Sequence, residues 1–281
     1  MRSHIAAGCL LLIVISVAHC MDVVNKSEIR KTLAFAEPGG SHRVVVDNMF
    51  GSVDVVGYDG TDVELVAHKT VKAESNDKLK EAEEDVTIDI KQERDRIVLY
   101  VDAPWRTDHG MNYEGYHFYG YEVTVDFELK VPRKTNVYLR TVGDGDVTVK
   151  KVEGEFEVKN VNGGIDMTDI VGSGKASTVN GEVTVKFSQN PLGDCYFHTV
   201  NGSIEVTMQE NLSADLRLKT FNGQVYTDYD VQALPVQAPV EREFGRRRVY
   251  RSGNSFGVRV GGGGPTLAFE TLNGTINILK H

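Results

Sequence analysis

The chain has 281 residues, enough for one large β domain or two small ones, and its 41% hydrophobic and 25% charged content is globular rather than disordered. A formal net charge of −9 argues against nucleic acid as a partner, because phosphates require clustered positive charge. With 28 glycines and only 7 prolines, many tight turns and few rigid linkers are expected.

In chain order, residues 1–20 read as a signal peptide: Arg2 is the only charge, Ile5 to Ala18 is an apolar run, and Ser16-Val17-Ala18 offers small residues for cleavage. That run is shorter than the ~20 residues of a membrane-spanning helix, and no second one follows. Two maturation routes stay open. A peptidase cuts after Ala18 or Cys20, or Cys20 becomes a lipid anchor, with His19 departing from the small residue expected before it. Residues 21–40 form an N-terminal segment before a β-strand repeat domain over 41–281.

The first part of that domain alternates apolar and polar residues at period two, which predicts strands over His42–Val46, Ser52–Val56, Asp62–Ala67, Val86–Ile90, Arg96–Val101, Tyr121–Val131 and Asn136–Thr141. One helix is predicted over Asp77–Glu84, capped by Asp77, with Leu79, Ala82 and Val86 at helical spacing. From Asp144-Gly145 onward a repeat takes over. Asn162-Gly163, Asn180-Gly181, Asn201-Gly202 and Asn222-Gly223 follow at steps of 18, 18, 21 and 21 residues, and Asn273-Gly274 comes 51 residues later. Asn48-Met49-Phe50-Gly51 is an outlying copy.

The flanks repeat as well. Val183 and Val185, Ile204 and Val206, and Ile276 and Ile278 stand two and four residues after their glycines. Asn160, Thr178, Thr199, Thr220 and Thr271 stand three before. Each unit is therefore strand, Asn-Gly turn, strand, and both turn residues tolerate positive φ. In a two-residue hairpin this turn is type I′ and pairs Ala176 with Val185 and Phe197 with Val206. In a stacked solenoid each unit is one coil, and equivalent asparagines form a ladder. Periodicity alone does not choose between them. Residues 232–265 interrupt the series. This insertion carries Arg242, Arg246-Arg247-Arg248, Arg251 and Arg259, read as a solvated loop, and Gly261 to Gly264, read as a flexible connection.

The Asn48–Val55 segment, the Val-Asn-Gly units and the ending from Gly261 through Thr271-Leu272-Asn273-Gly274-Thr275-Ile276 resemble a bacterial putative-adhesin family of unknown function with β-strand repeats, itself similar to autotransporter-adhesin head domains. The resemblance covers roughly residues 40–281. It implies an all-β, right-handed β-solenoid or β-helix-like domain with one short helix, ahead of the alternative, an antiparallel β-sandwich of hairpins. It also implies a place in the periplasm, cell envelope or cell surface, and it supplies no catalytic residues.

The most unusual chemistry outside the repeats is the run from Trp105 to Tyr121. Trp105, Tyr113, Tyr116, His117 and Tyr119 are candidates for binding an envelope protein or glycan, because Tyr and Trp pair apolar area with a polar tip. Packing over the sheet end is the plainer reading. Asp108, His109, Glu114 and His117 lie close together but match no zinc spacing, so no metal is expected. Cys195 alternates with Phe197 and reads as a core residue. No nucleophile elbow or paired motif histidines appear, and no cofactor is expected. The sequence thus points to an exported, non-catalytic envelope or surface interaction module. A carbohydrate-binding or carbohydrate-active β-helix protein is the alternative.

Overall fold

The structure is a computed structural model and describes residues 23–36, 40–107, 110–111, 119–235, 242–244, 247–249 and 255–281. Residues 1–20, expected to be a signal peptide, and Cys20 with them, lie outside these residues. Among the described residues no helix is long and apolar enough to cross a membrane.

The chain opens with β1 (Val23–Ala34), β2 (His42–Asp47), β3 (Val53–Tyr58) and β4 (Asp62–Ala73). A helix, α1 (Asn76–Asp85), the one helix among the described residues, leads to β5 (Thr87–Gln92) and β6 (Arg96–Asp102). A small hairpin of β7 (Arg106–Thr107) and β8 (Gly110–Met111) precedes β9 (Tyr121–Pro132). The repeats then supply β10 (Thr135–Arg140), β11 (Val147–Lys150), β12 (Phe156–Lys159), β13 (Ile165–Ile170), β14 (Gly174–Ser177), β15 (Val183–Phe187), β16 (Cys195–Asn201), β17 (Ile204–Met208), β18 (Ala214–Asn222) and β19 (Val225–Thr227). The insertion contributes β20 (Val231–Ala233), β21 (Arg242–Phe244), β22 (Arg247–Val249) and β23 (Ser255–Val260), and the chain closes with β24 (Thr266–Asn273) and β25 (Ile276–Lys280).

These strands form two large mixed sheets over one core, a sandwich-like arrangement. The first runs β1-β4-β9-β3-β11-β13-β15-β17-β25-β19 and the second β20-β23-β18-β24-β16-β14-β12-β10-β2-β6-β5. Through the repeats the chain alternates between them, so every Asn-Gly turn joins a strand of the second sheet to a strand of the first. The pairing within each sheet is parallel and in register: Val147, Ile165, Val183, Ile204 and Ile276 form one row, and Leu139, Val158, Ala176, Phe197 and Phe269 another. The hairpin register is therefore not adopted. Ala176 pairs with Val158 and Phe197, and Val185 with Met167 and Val206. The physical reason is that each short repeat strand is apolar on one face only. Folded on itself as a hairpin it would leave that face wet, whereas crossing to the other sheet buries both halves of the unit.

Both inward rows are almost fully buried. Ala176 is the small member of its row, and Phe187 from the facing sheet has its ring centroid 6.3 Å from both Phe156 and Phe197. Cys195 is buried on the same face as Phe197, and desolvation pushes its thiol up to about 11.

Within the two large sheets antiparallel pairing is confined to the ends of the stack: β1, β4 and β9 with β5 and β6 at one, and β18, β23 and β20 at the other; β7–β8 and β21–β22 are separate antiparallel pairs. The N-terminal segment holds a twelve-residue strand, β1, that its composition concealed, because most of its side chains are exposed at the sheet edge. The helix is capped by Ser75, whose Oγ accepts from the Lys78 N–H at 3.2 Å, and not by Asp77, which sits in the first turn.

The last unit is out of chain order. β24 lies between β16 and β18, and β25 between β17 and β19. The chain leaves the stack after β19, adds β20 and β23 beyond β18, and returns to slot its final two strands inside. The run Gly261–Gly264 makes this return as a held turn. Gly261 and Gly263 have φ of 58° and 79°, and Ser213 Oγ donates to the Gly263 carbonyl at 2.7 Å.

Candidate functional site

The Asn-Gly turns stack into one corner of the molecule. Asn180 Nδ2 donates to Asn162 Oδ1 at 2.9 Å, Asn201 to Asn180 at 2.8 Å, Asn273 to Asn201 at 2.8 Å and Asn222 to Asn273 at 2.8 Å. Beside this ladder runs a column of glycines. A Cβ on Gly202 would stand 1.9 Å from the Gly181 carbonyl oxygen, and one on Gly274 or Gly223 1.8 Å from the carbonyl oxygen of Gly202 or Gly274. A third column sits one layer deeper. Thr178, Thr199 and Thr271 donate through Oγ1 to the carbonyls of Gly163, Gly181 and Gly202 at 2.8, 2.8 and 3.0 Å, and Thr220 donates to Gly274 at 3.1 Å. Asn160 fills the threonine position one step earlier, reaching the Gly145 carbonyl at 2.9 Å. The copy at Asn48–Gly51 joins the same corner: Asn48 Nδ2 reaches the Val125 carbonyl at 2.8 Å, and the Gly51 N–H reaches the Asp144 carbonyl at 3.0 Å. The outlying glycine and the interrupted last repeat thus fall into a single column.

Next to this corner lies an open trough of about 440 Å³. One wall is the last outward row of the second sheet, where Arg140, Lys159, Ser177 and His198 stand on successive paired strands. The other wall is the residue before each ladder asparagine, Val161 and Val179. Beyond the trough the same column continues through Val200, Leu272 and Phe221, of which Leu272 is 46% and Phe221 70% exposed. Successive members of each wall are one strand spacing apart, about 4.8 Å. The electrostatics of the wall are uneven. Lys159 is ion-paired with Glu157, whose carboxyl that bond holds below the usual range. Arg140 has no carboxylate within ion-pair distance among the described residues. His198 stacks on Tyr196, with centroids 5.8 Å apart and rings 9° from parallel, and its Nδ1 is enclosed without a hydrogen-bond partner among the described residues. The trough therefore sets the Arg140 guanidinium, unpaired among the described residues, and the paired Lys159 along one wall and valines along the other, in a protein whose formal net charge is −9.

The aromatic run is placed only at its ends. Trp105 is 2% exposed and packs edge-on to Tyr119, with centroids 5.3 Å apart, and against Tyr121 at 5.7 Å. Tyr119 is half-buried. Tyr113, Tyr116 and His117 lie outside the described residues, as do Asp108, His109 and Glu114. Near this end Arg106 pairs with Asp47 at 2.5 Å, lies over the Tyr100 ring at 3.9 Å and is 7% exposed, an arrangement that holds the corner of the fold. Among the described residues no group of His, Cys, Asp and Glu side chains is arranged to hold a metal. In the insertion, the Arg259 guanidinium pairs with Asp215 at 2.7 Å and lowers that carboxyl's pKa. The side chains of Arg242, Arg247 and Arg248, and the whole of Arg246 and Arg251, lie outside the described residues.

The trough residues were not among the sequence candidates. Their signal was present: they stand four and two residues before each turn glycine, in Lys159, Ser177 and His198 and in Val161 and Val179.

No protein-family model matches the sequence, and no curated protein matches it. Solved structures similar in arrangement include a putative cell adhesion protein from Clostridium sporogenes, 11% identical, covering 92% of this chain and all of that one at a TM-score of 0.45. A putative adhesin from Bacteroides fragilis is 10% identical, covering 91% and 97% at 0.31. A putative lipid binding protein from Parabacteroides distasonis is 11% identical, covering 92% and 96% at 0.31. The class defined by fold and corner is an all-β repeat protein with two mixed sheets, a stacked-turn corner and an adjacent trough.

Proposed function

We propose that the chain is an exported, non-catalytic envelope or surface module, built as a short two-sheeted solenoid, whose trough binds an extended acidic glycan. The observation that carries the reading is the pairing of Arg140, Lys159 and His198 on one wall with Val161 and Val179 on the other. A uronic-acid chain has both matching features, carboxylates along one edge and apolar sugar faces. Carboxylate recognition by an arginine gives geometric specificity as well as charge. In the same proposal, residues 1–20 direct export, ending in cleavage or in lipidation of Cys20, which the mass of the mature N-terminus distinguishes. Tyr113, Tyr116 and His117 supply further contacts to a partner.

The test is calorimetric titration of the mature protein with polygalacturonate and with a neutral glucan. Binding to the acidic polymer alone is expected, weakened about tenfold, or about 1.4 kcal/mol, by Arg140→Glu and by Val179→Asp. Both side chains line the surface trough, so the variants keep the fold, as circular dichroism will check. Equal affinity for both polymers, or wild-type affinity in both variants, overturns the reading.

A further inference from the structure

The five asparagines of the ladder are chemically alike but not equally protected. In an Asn-Gly pair the glycine nitrogen can attack the asparagine Cγ, because no side chain on glycine obstructs the approach. The new C–N bond closes a five-membered imide, the side-chain nitrogen leaves as ammonia, and water opens the ring to aspartate or isoaspartate. The step requires the glycine N–H to be free. Along the stack it is not. The Gly163 N–H donates to the Asn180 carbonyl at 2.9 Å, Gly181 to Asn201 at 3.0 Å, Gly202 to Asn273 at 3.0 Å and Gly274 to Asn222 at 3.1 Å.

The direction of these bonds leaves one exception. Each glycine donates to the next rung, and Asn222-Gly223 is the last rung because the final unit slots in before it. The Gly223 N–H has no acceptor among the described residues, and both Asn222 and Gly223 are exposed. The Asn222 side chain donates to Asn273 Oδ1 but receives nothing from a further rung. We propose that Asn222 is the site at which this protein deamidates, and that the out-of-order insertion of the last repeat decides it. Loss of the amide removes the donor that holds the last rung to Asn273 and places a carboxylate beside exposed Phe221.

The test is incubation of the full chain at mildly alkaline pH and body temperature, with peptide mapping that separates aspartate from isoaspartate. Asn222 is expected to convert at least about tenfold faster than Asn162, Asn180, Asn201 or Asn273, the factor that one ordinary hydrogen bond to the nucleophile represents. In strong denaturant the five rates are expected to converge. An internal rung converting as fast as Asn222 in the native protein, or a rate difference that persists in denaturant, overturns the proposal.

Discussion

Each rung of the corner from Asn180 onward is held by a threonine hydroxyl, an asparagine amide and the absence of a glycine side chain, and at Asn162 the amide of Asn160 replaces the hydroxyl. The hydroxyls are the buried part. Thr199 is fully enclosed and its Oγ1 is 2.8 Å from the Gly181 carbonyl, so Thr199→Val keeps the shape but leaves a buried acceptor without a partner. A loss of about 1–2 kcal/mol is expected in urea unfolding, with Thr199→Ser recovering most of it. Ser177→Ala, on the outward face, is expected to change stability by less than about 0.5 kcal/mol. Equal effects from the two positions would contradict the assignment. At this scale the sequence was highly legible. The spacing of Asn162, Asn180 and Asn201, and the threonine or asparagine three before each glycine, mark the positions that form the columns. The hydrogen-bond partners were not legible, because a turn that tolerates positive φ serves a two-residue hairpin or a corner between sheets equally well. Only burial of both apolar faces separates the two.

At the level of elements, period-two alternation located six of the early strands within two residues and a seventh, β4, with its end six residues short. It failed for β1, whose side chains are mostly exposed along a sheet edge and so carry no apolar rhythm. The helix was found, but Ser75 caps it two residues before the acidic residue expected to do so. The connection between β19 and β20 is anchored by Tyr229, which sequence spacing gave no reason to single out. Its one hydroxyl proton is shared between the Met208 and Gln209 carbonyls, each 2.9 Å from the phenolic oxygen, and burial pushes its pKa up to about 12. Tyr196 is raised to about 12 for the same first reason. An unfolded tyrosine titrates near 10. The folded pKa is the higher one, so this contribution is complete below about pH 10 and is lost as pH rises toward 12. Stability measured by urea unfolding should therefore fall between about pH 10 and 12 by the rule of linked titration. Tyr229→Phe should be less stable at pH 8 but lose less over that interval. A variant that loses as much as the wild type would show that Tyr229 does not drive the decline.

At the scale of the whole molecule, the units do not stack in the order in which they are made. Both ends show this: β2 and β3 lie inside the later strands β6 and β9, and β24 and β25 lie inside the earlier β18 and β19. The antiparallel strands cover three of the four sheet edges that a simple stack would leave open, and β19, paired parallel with β25, forms the fourth. The 51-residue interval to Asn273 signalled an interruption but not its direction, because an insertion that returns outside the stack and one that returns inside leave the same sequence spacing. The closing rungs of the ladder and its exposed last rung depend on that order. It is tested most directly by disulfide trapping in a Cys195→Ala background, using the outward positions His198, Glu270 and Lys219. His198 pairs with Glu270, and Glu270 with Lys219. Each pair is one strand spacing apart, about 4.8 Å, within the roughly 4.4–6.8 Å that a disulfide bridges. Cysteines at 198 and 270, and at 219 and 270, are predicted to crosslink, while those at 198 and 219 do not. Crosslinking of 198 to 219 without crosslinking of 198 to 270 would place the repeats in chain order and contradict the account.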